Sequence, residues 1–517
     1  MQDTIKQDTS VNNKRIAKNT ILLYIRMVVM MVVSLYTSRV VLQALGVEDF
    51  GLYNIVGGIV VLFSILNGAL TSSTQRFLNF ELGKGNIEEV SSLFRCSKSI
   101  HLILIFIIVL LSETIGLWYI NDIMNVPKDR IQAANWIYQF SIVTFCFNVY
   151  RVPYNASIIA HEKMDFYAYI SIIEAVLKLL IVYLLMLGDF DKLIVYSFLL
   201  MIVCILITQC YIIYCKHSFS DAKSGLEWNK NNVKRMFSFS GWSLFGSSAV
   251  VSTQQGINLI LNYFYGVTLN AASGIANQVT NAMYGFITNM LVAFNPQIVK
   301  LYAQNEYDRF FRLVFRASKY SFLLFWIIGL PFFFSAPFIL HLWLGDVPDY
   351  AVSFCRLTII YLLVDSLNGP LWSAINAKGK IKVYQIIIGC ILLLNIPFCI
   401  LVLKQGYPPE SVWIVKIVFN IVAMVVRLCF MNGLLDFPVR KYLNDVVLPL
   451  FLMSILCLVI LWAFHFSLHS PSGIILFILE SVILSCGLAF VMVFSKEERV
   501  FFISYIKKIN QYVFKSN

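Results

Sequence analysis

Long apolar runs separated by short polar segments occupy most of this sequence. LILIFIIVLL (102–111) and FLLMIVCILIT (198–208) are two of them, and with their flanks each extends to about 20 residues. A helix of that length crosses the roughly 30 Å hydrocarbon core of a membrane. The 517 residues are 59% hydrophobic and 13% charged, which is too little charge to cover soluble domains. We therefore predict an all-α polytopic membrane protein and not a β-barrel, whose strands would alternate in short segments.

The apolar runs predict fourteen transmembrane helices. We place them near 20–42, 51–75, 99–120, 134–159, 166–187, 192–214, 238–264, 269–297, 319–344, 350–375, 382–403, 411–433, 445–467 and 472–494. Residues 1–19 are polar, and no signal-peptide cleavage site follows the first span, so we expect the N-terminus to be retained. Residues 495–517 mix aromatic and charged side chains, which is typical of an amphipathic helix on the cytoplasmic membrane surface.

The distribution of basic residues predicts the orientation. The formal charge of +12 would also suit a nucleic-acid partner. With the N-terminus in the cytoplasm, however, most of the 40 Lys and Arg residues fall in cytoplasmic segments, and the opposite loops hold only Lys128, Arg130, Lys192 and Lys404. This bias follows the positive-inside rule. We therefore predict a multi-pass protein of the bacterial inner membrane, with both termini cytoplasmic and no nucleic-acid partner.

The cysteines and histidines predict neither a disulfide framework nor a metal site. The 11 Cys form no C-x-x-C pair, and most lie inside apolar runs, where Cys packs as a small apolar side chain. His465 and His469 stand four residues apart at the periplasmic end of the thirteenth span without a third ligand, so we interpret them as interface residues. We expect no cofactor.

Three pairs of segments recur in the same order and at nearly constant spacing. They are SLFRCSKS (92–99) with LVFRASKY (313–320), VPYNASIIAHEKMDFYAY (152–169) with GPLWSAINAKGKIKVYQI (369–386), and LGVEDFGLYNIVGG (45–58) with YGVTLNAASGIANQ (265–278). The first pair shares the phrase FRxSK, whose Arg and Lys we expect to meet lipid phosphates at the cytoplasmic membrane surface.

The recurrence predicts two six-helix lobes, at 20–215 and 238–433. A cytoplasmic linker at 216–237 joins them, and two further helices follow in 434–494. Because each lobe has an even number of spans, the repeat is parallel and its pseudo-two-fold axis runs along the membrane normal. This arrangement favours alternating access, with a substrate site between the lobes near mid-membrane.

Ionisable residues inside the spans are candidates for function, because each costs about 2.5 kcal/mol or more on insertion. The deeply placed basic residues need a counter-charge, water or an anionic ligand, and they are Arg26, Arg151 and Arg356. The basic residues nearer the span ends are accounted for by snorkelling to headgroups, and they are Arg39, Lys416 and Arg427.

Acidic residues inside the spans are few. Glu174 and Lys178 stand one helical turn apart, so they form either a structural pair or a site that handles protons or substrate. Asp365 has no partner in the local sequence. It either couples transport to an ion or pairs with an Arg of another helix.

Two spans carry stripes of neutral polar residues. Gln254, Asn258 and Asn262 recur every four residues in the seventh span, and Asn277 and Asn281 do so in the eighth, where Tyr284 and Thr288 continue the stripe. A polar stripe facing lipid would be unfavourable. We therefore expect both stripes to line a cavity or to form hydrogen bonds between helices.

LQALGVEDFGLYNIVGGIVVLFSILNGAL (42–70) and TQRFLNFELGKGN (74–86) resemble the first two spans of polysaccharide transporters of the MOP superfamily. That superfamily includes the MATE multidrug exporters and the Wzx-type flippases. The resemblance extends over essentially the whole chain and implies the movement of undecaprenyl-diphosphate-linked oligosaccharides to the periplasmic leaflet, for O-antigen, capsule or exopolysaccharide synthesis. Unlike some sodium-coupled exporters, the sequence has no acidic residue inside the first span.

The resemblance gives the candidate residues a chemical role. Arg26, Arg151 and Arg356 suit a diphosphate, because a guanidinium binds phosphate oxygens in pairs and keeps its proton. The amides of the polar stripes, Gln254, Asn258, Asn277 and Asn281, suit a glycan. Asp365, Glu174 and Lys178 are the candidates for coupling to H⁺ or Na⁺, and polymerase or assembly proteins are candidate partners.

Three other function classes compete with the flippase. A MATE-type multidrug antiporter would need an acidic, aromatic cavity for cationic drugs, whereas the charges inside these spans are mainly basic. A membrane enzyme such as a polymerase or ligase would need a large periplasmic loop with catalytic residues, and the predicted loops are short. A scaffold would not need polar stripes. We therefore predict a transporter and not an enzyme.

The predicted topology is testable by reporter fusions. Fusions after residues 125, 268 and 346 should report the periplasm, and fusions after 225 and 305 the cytoplasm, because the positive-inside bias fixes the alternation of the spans. A cytoplasmic signal at 268 would contradict the parallel repeat.

Overall fold

A computed structural model describes residues 18–33, 36–37, 40–41, 44–45, 49, 64–123, 129–185, 191–222, 225–265, 267–344, 347–463 and 471–500. Within these ranges the chain is helical and contains no β-strand, as predicted. Nine of the described helices are long and apolar enough to cross a membrane. The all-helical, multi-pass membrane fold is thus confirmed, while the count of fourteen spans stays a prediction. Arg39, His465, His469, residues 50–63 and the tail from 501 onward lie outside the described residues.

The helices are numbered in chain order. They are α1 (18–33), α2 (Ser64–Lys84), α3 (Ile87–Leu111), α4 (Ile131–Ala160), α5 (Met164–Leu184), α6 (Lys192–Ser218), α7 (Lys230–Tyr265), α8 (Val267–Ala303), α9 (Tyr307–Leu344), α10 (Ala351–Lys378), α11 (Lys382–Leu393), α12 (Asn395–Lys404), α13 (Ser411–Leu435), α14 (Val439–Tyr442), α15 (Leu448–Ala463) and α16 (Pro471–Leu488). Short π-helical segments extend α3, α14 and α16 and are Ser112–Gly116, Tyr119–Ile123, Leu443–Val447 and Ala489–Val493.

The chain forms two compact units. Among the described residues, the first unit takes in those up to Ser248 together with Asn289–Tyr307 and Asn376–Ile386. The second takes in Ala249–Thr288, Asp308–Ile375 and the residues from Ile387 onward. Helices α7, α8, α10 and α11 each contribute to both units. The predicted boundaries of lobes and linker stay predictions.

Helix α4 is the centre of the first unit and packs against α2, α3, α5 and α6. Its fully buried Ile137 and Tyr138 lie in a core with Leu193 of α6. The Tyr138 hydroxyl donates to the Ser112 carbonyl at 3.0 Å, at the start of the π-helical segment that follows α3. Gly116 lies against the same hydroxyl, which a Cβ at that position would overlap. A small residue is therefore required there.

The two copies of the FRxSK phrase make equivalent ion pairs. In the first copy Arg95 pairs with Glu227 at 2.6 Å, and Ser92 Oγ donates to the same carboxylate at 2.6 Å. In the second copy Arg316 pairs with Glu498 at 3.3 Å. Each of these arginines thus has a glutamate of the protein as its partner, and the expected contact with lipid phosphates stays a prediction.

The second copy also contacts the end of the helical stretch formed by α16 and its π-helical extension. Lys319 Nζ donates to the Val493 carbonyl at 3.0 Å, where the π-helical segment after α16 ends. The last carbonyls of a helix have no partner within it, and a cation is favoured at that end. The FRxSK phrase of α9 thus binds both a carboxylate and a helix terminus.

We predict that the Arg95–Glu227 pair holds the segment 225–229 against α3. Glu227→Arg should expose this segment to trypsin, and the charge swap Arg95→Glu with Glu227→Arg should restore protection, because the swap keeps an ion pair at the same place. Limited proteolysis of the purified proteins measures trypsin cleavage in the single variant and in the charge-swap variant. Equal cleavage of the swap and the single variant would contradict the pairing.

The same contact should be sensitive to acid. The hydrogen bond from Ser92 and those from Arg95 hold the pKa of Glu227 below its ordinary value. An unperturbed Glu has a pKa of about 4.3. Because the pKa of Glu227 is lower in the folded protein, its contribution to stability is fully present above the unperturbed pKa and is lost as pH falls through the folded-state pKa. Protection of the segment should therefore persist at neutral pH and fail only in acid.

Candidate functional site

Four charged side chains gather in the first unit, and we call them the Glu174 cluster: Arg26, Arg151, Glu174 and Lys178. Arg151 Nη1 donates to Glu174 Oε2 at 3.1 Å, and Lys178 Nζ donates to Glu174 Oε1 at 2.7 Å. Each oxygen of the Glu174 carboxylate therefore accepts a hydrogen bond from a different cation. The sequence pairs Glu174 with Lys178 through the i, i+4 spacing on α5, whereas only the packing of α4 on α5 brings Arg151 to the same carboxylate.

Arg26 of α1 lies in the same unit but bonds to no carboxylate among the described residues. Its Nη1 donates to Asn289 Oδ1 at 3.3 Å, and its guanidinium carbon lies 4.4 Å from the centre of the Tyr167 ring. Its Nε is buried and makes no hydrogen bond with a described residue. An amide and an aromatic face are weaker partners for a buried cation than a carboxylate, so the Arg26 charge is only partly compensated.

The Glu174 cluster is electropositive because it contains three cations and one carboxylate. Asn148 Oδ1 accepts from Arg151 Nη2 at 2.8 Å, and the Tyr211 ring lies 5.3 Å from the Arg151 guanidinium carbon. Both partners are neutral and leave the excess of positive charge unchanged. Sequence reasoning missed these two residues, since a lone Asn or Tyr in an apolar run carries no periodic signal.

The second unit contains a different charged group around Asp365. Three side chains lie within electrostatic range of this carboxylate, namely Tyr284, Tyr361 and Lys416, and Arg427 lies within range of both tyrosines. The Lys416 ammonium lies 4.3 Å from the centre of the Tyr361 ring. The cation that the structure places near Asp365 is a lysine of another helix, Lys416, and the two roles expected for Asp365 stay predictions.

This placement corrects the interpretation of Lys416 and Arg427. Both were expected to snorkel to headgroups because they lie near the ends of their predicted span. Lys416 instead lies beside the Tyr361 ring, with Asp365 as a counter-charge, and Arg427 lies near Tyr284 and Tyr361. Residue depth along a span does not reveal which side of the helix a cation occupies, and that side depends on the neighbouring helices.

The polar stripes of α7 and α8 meet in the second unit. Gln254 Nε2 donates to Asn277 Oδ1 at 3.4 Å, and Asn277 Nδ2 donates to Asn258 Oδ1 at 3.4 Å. Ser273 Oγ also donates to Asn258 Oδ1, at 2.8 Å. Both expected roles are thus present, because the stripes bond between helices and also line a small cavity. Its lining residues are Gln254, Ile257, Asn258, Ser273, Asn277, Val412, Trp413 and Lys416.

Two members of the stripes lie apart from this cavity. Asn281 is exposed and does not line it, and the side chain of Asn262 lies outside the described residues. Ser273 was missed by sequence reasoning, although it stands one turn before Asn277 on the same face of α8. The stripe could have been extended to it by the same spacing.

Arg356 has a structural partner in the second unit. Its Nε donates to the Phe333 carbonyl of α9 at 3.0 Å. Pro337 lies four residues after Phe333 and has no N–H, so the Phe333 carbonyl lacks its usual helical partner. Arg356 therefore satisfies a carbonyl that proline leaves free, and its predicted role in substrate binding stays a prediction.

Buried polar contacts in the first unit were also missed. Arg76 donates to the Asn376 and Ala377 carbonyls at 3.1 and 2.9 Å, near the C-terminus of α10. Glu162, in the left-handed conformation between α4 and α5, accepts from Lys300 Nζ at 2.7 Å and from Gln297. These pairs join residues far apart in sequence, and no local pattern reveals them. The described residues contain no group of three His, Cys, Asp or Glu that could hold a metal ion.

Comparisons with known proteins identify the fold. Residues 243–401 match the MatE family model. A crystal structure of MATE in the straight conformation superposes with a TM-score of 0.72 at 14% identity, covering 83% of this chain and 97% of that one. The chain therefore has the fold of the MATE transporters of the MOP superfamily.

Two further proteins are similar to this chain. A MOP superfamily transporter from Pyrococcus furiosus, described as having a binding pocket of reverse polarity that suggests a different function, superposes with a TM-score of 0.66 at 13% identity, covering 82% of this chain and 96% of that one. The uncharacterized membrane protein EpsK of Bacillus subtilis (strain 168) is 19% identical over 368 residues, which are 69% of this chain and 72% of that protein.

The Asp365 group gives a stability prediction. Asp365→Asn should lower the melting temperature in detergent, because Lys416 then loses its counter-charge. Lys416→Met should restore part of the loss in the Asp365→Asn background, with a coupling free energy of about 1 kcal/mol or more. Glu480→Gln, a substitution of another acid within a span, is the matched control. Strict additivity of the two substitutions would contradict the interaction.

Proposed function

We propose that this protein is a transporter that moves an anionic, lipid-linked oligosaccharide from the cytoplasmic to the periplasmic leaflet of a bacterial inner membrane. The cargo would be an undecaprenyl-diphosphate-linked unit for O-antigen, capsule or exopolysaccharide synthesis. The observation that carries the proposal is the Glu174 cluster, in which Arg151 and Lys178 share a single carboxylate while Arg26 bonds to the Asn289 amide. The cluster has a net charge of opposite sign to a diphosphate.

The energetics favour an anionic cargo. A cation within a span costs about 2.5–3.5 kcal/mol on insertion, so an incompletely compensated one needs a reason. An ion pair at 4 Å is worth about 4 kcal/mol at an effective dielectric constant of 20. A bound diphosphate would therefore offset the insertion cost of the uncompensated charge. A cationic cargo would instead add a further positive charge to the cluster and increase the electrostatic cost.

The glycan would need neutral hydrogen-bonding groups. Gln254, Asn258 and Asn277 supply amides that already bond to one another, and Ser273 adds a hydroxyl. Asn281 is exposed and would serve as a further amide contact. Side-chain amides present both donors and acceptors, as a sugar hydroxyl requires. These residues support the oligosaccharide half of the cargo.

The fold supports a second candidate equally, a cation-coupled multidrug antiporter. An outward-facing multidrug resistance MATE family transporter of the MOP superfamily superposes with a TM-score of 0.69 at 15% identity. Asp365, a carboxylate next to Tyr284 and Tyr361, is the feature that would suit a cation or a coupling proton. The polarity of the Glu174 cluster favours the first candidate. The Pyrococcus furiosus transporter, whose pocket polarity is described as reversed, shows that polarity varies on this fold.

Several finer features belong to the proposal. The termini would be cytoplasmic, the cycle would be coupled to H⁺ or Na⁺ through Asp365 or Glu174, and a polymerase or assembly protein would receive the exported unit. Membrane lipids would hold the polyprenyl tail while the headgroup enters the protein. Arg26 lies on the cytoplasmic half of the first predicted span and would meet the diphosphate early.

We predict that Arg26→Ala abolishes display of the surface glycan in a strain that lacks the native gene, while protein level and membrane insertion stay normal. Arg26→Lys should rescue display only partly, because an ammonium keeps the charge but loses the planar fork. Arg312→Ala, at an exposed arginine of α9, is the matched control and should display normally. Full display with Arg26→Ala would reduce Arg26 to a structural residue.

A further inference from the structure

Glu174 occupies the position that an anionic ligand would take in its cluster. Its two oxygens are bound by Arg151 of α4 and by Lys178 of α5, at 3.1 and 2.7 Å. The carboxylate side chain is 17% exposed, and the side chain of Lys178 is 43% exposed. Lys178 is therefore the more exposed of the two cations, and Arg151 is more enclosed, with its side chain 20% exposed.

A diphosphate and Glu174 would compete for the same donors. A diphosphate diester carries one negative charge on each phosphate, so that it matches Arg151 and Lys178 with one anionic group each. Both donors bind phosphate oxygens as well as carboxylate oxygens. Glu174 cannot keep its two partners while the diphosphate binds them, and an ionised carboxylate without partners in an apolar bundle is strongly unfavourable.

Protonation removes that penalty, and the neighbours of Glu174 identify where the proton goes. The groups near its carboxylate are Arg151 from α4, Lys178 from α5, and Cys204 and Tyr211 from α6. Around these lie Asn148, which bonds to Arg151, and Tyr167 and Arg26, which lie near Tyr211. Glu174 is the only carboxylate among these described residues. The cations must stay charged to hold the diphosphate, so a proton taken up on binding belongs on Glu174.

We propose that Glu174 is an exchangeable internal counter-ion, which the diphosphate of the cargo replaces at Arg151 and Lys178 while Glu174 takes up one proton from water. The step breaks the two ion pairs of Glu174, forms N–H···O–P bonds from the same two donors and leaves Glu174 as a neutral carboxylic acid. It rests on the proposed function and adds to it a specific link between cargo binding and protonation. When the cargo leaves, the proton is released and the ion pairs form again.

The test uses the full-length purified protein and farnesyl-diphospho-N-acetylglucosamine. This probe is a diphosphate diester, whose phosphates do not titrate near neutral pH, so any proton uptake comes from the protein. Calorimetry in two buffers of different ionisation enthalpy gives the number of protons. The wild type should take up about one proton near pH 7, and its affinity should fall as pH rises, since the bound state holds the extra proton.

Glu174→Gln removes the competing charge and the titrating group. This variant should bind the probe about tenfold more tightly, an increase worth about 1.4 kcal/mol. It should also take up no proton and show no pH dependence. Glu480→Gln is the matched control, because it makes the same change on α16, and it should behave as the wild type. The proton count of the wild type tests the exchange even if Glu174→Gln fails to fold.

The outcomes separate the two proposals. Wild-type binding without proton uptake, or unchanged binding by a folded Glu174→Gln, overturns the counter-ion exchange and leaves the proposed function in place. Failure of the wild type and the variants to bind the probe overturns the proposed function, and the exchange falls with it. Binding of tetraphenylphosphonium that Glu174→Gln weakens would assign Glu174 to a cation instead.

Discussion

A charged side chain in an apolar helix bundle must find its counter-charge inside the protein, and most of the functional structure follows from this constraint. Glu174 accepts from both Arg151 and Lys178, and Asp365 lies within electrostatic range of Lys416. The described carboxylates near these cations are fewer than the cations themselves. The remaining positive charge is the basis for proposing an anionic cargo on a fold that otherwise resembles multidrug transporters.

The same constraint explains contacts at the helix ends. Arg95 and Arg316 occupy matching places in the FRxSK phrase, and each binds a glutamate from a segment distant in sequence, Glu227 and Glu498 respectively. Lys319 donates a hydrogen bond to the Val493 carbonyl, at the C-terminal end of a helical segment. Both copies of the phrase therefore bind a segment distant in sequence to the end of their helix, which is a structural role.

The membrane class and helical content could be predicted from the sequence because the apolar runs are long and continuous. The Glu174–Lys178 pair and the polar stripes could also be predicted, since helical spacing alone places their members together. Arg151 could not be assigned to Glu174, nor Lys416 to Asp365, because those pairs depend on which helix faces cross. Arg356 shows a third case, in which the signal was present: Pro337 frees the carbonyl of Phe333 that Arg356 binds.

The central claim is that this MATE-like fold carries an anionic, lipid-linked glycan. The most direct measurement is translocation in proteoliposomes, with a fluorescent diphosphate-linked glycan placed in one leaflet and its appearance in the other followed by a membrane-impermeant quencher. The account predicts protein-dependent movement of this lipid and none of a zwitterionic phospholipid with the same fluorophore. Protein-dependent exchange of a cationic dye for protons or sodium, without movement of the diphosphate lipid, would contradict it.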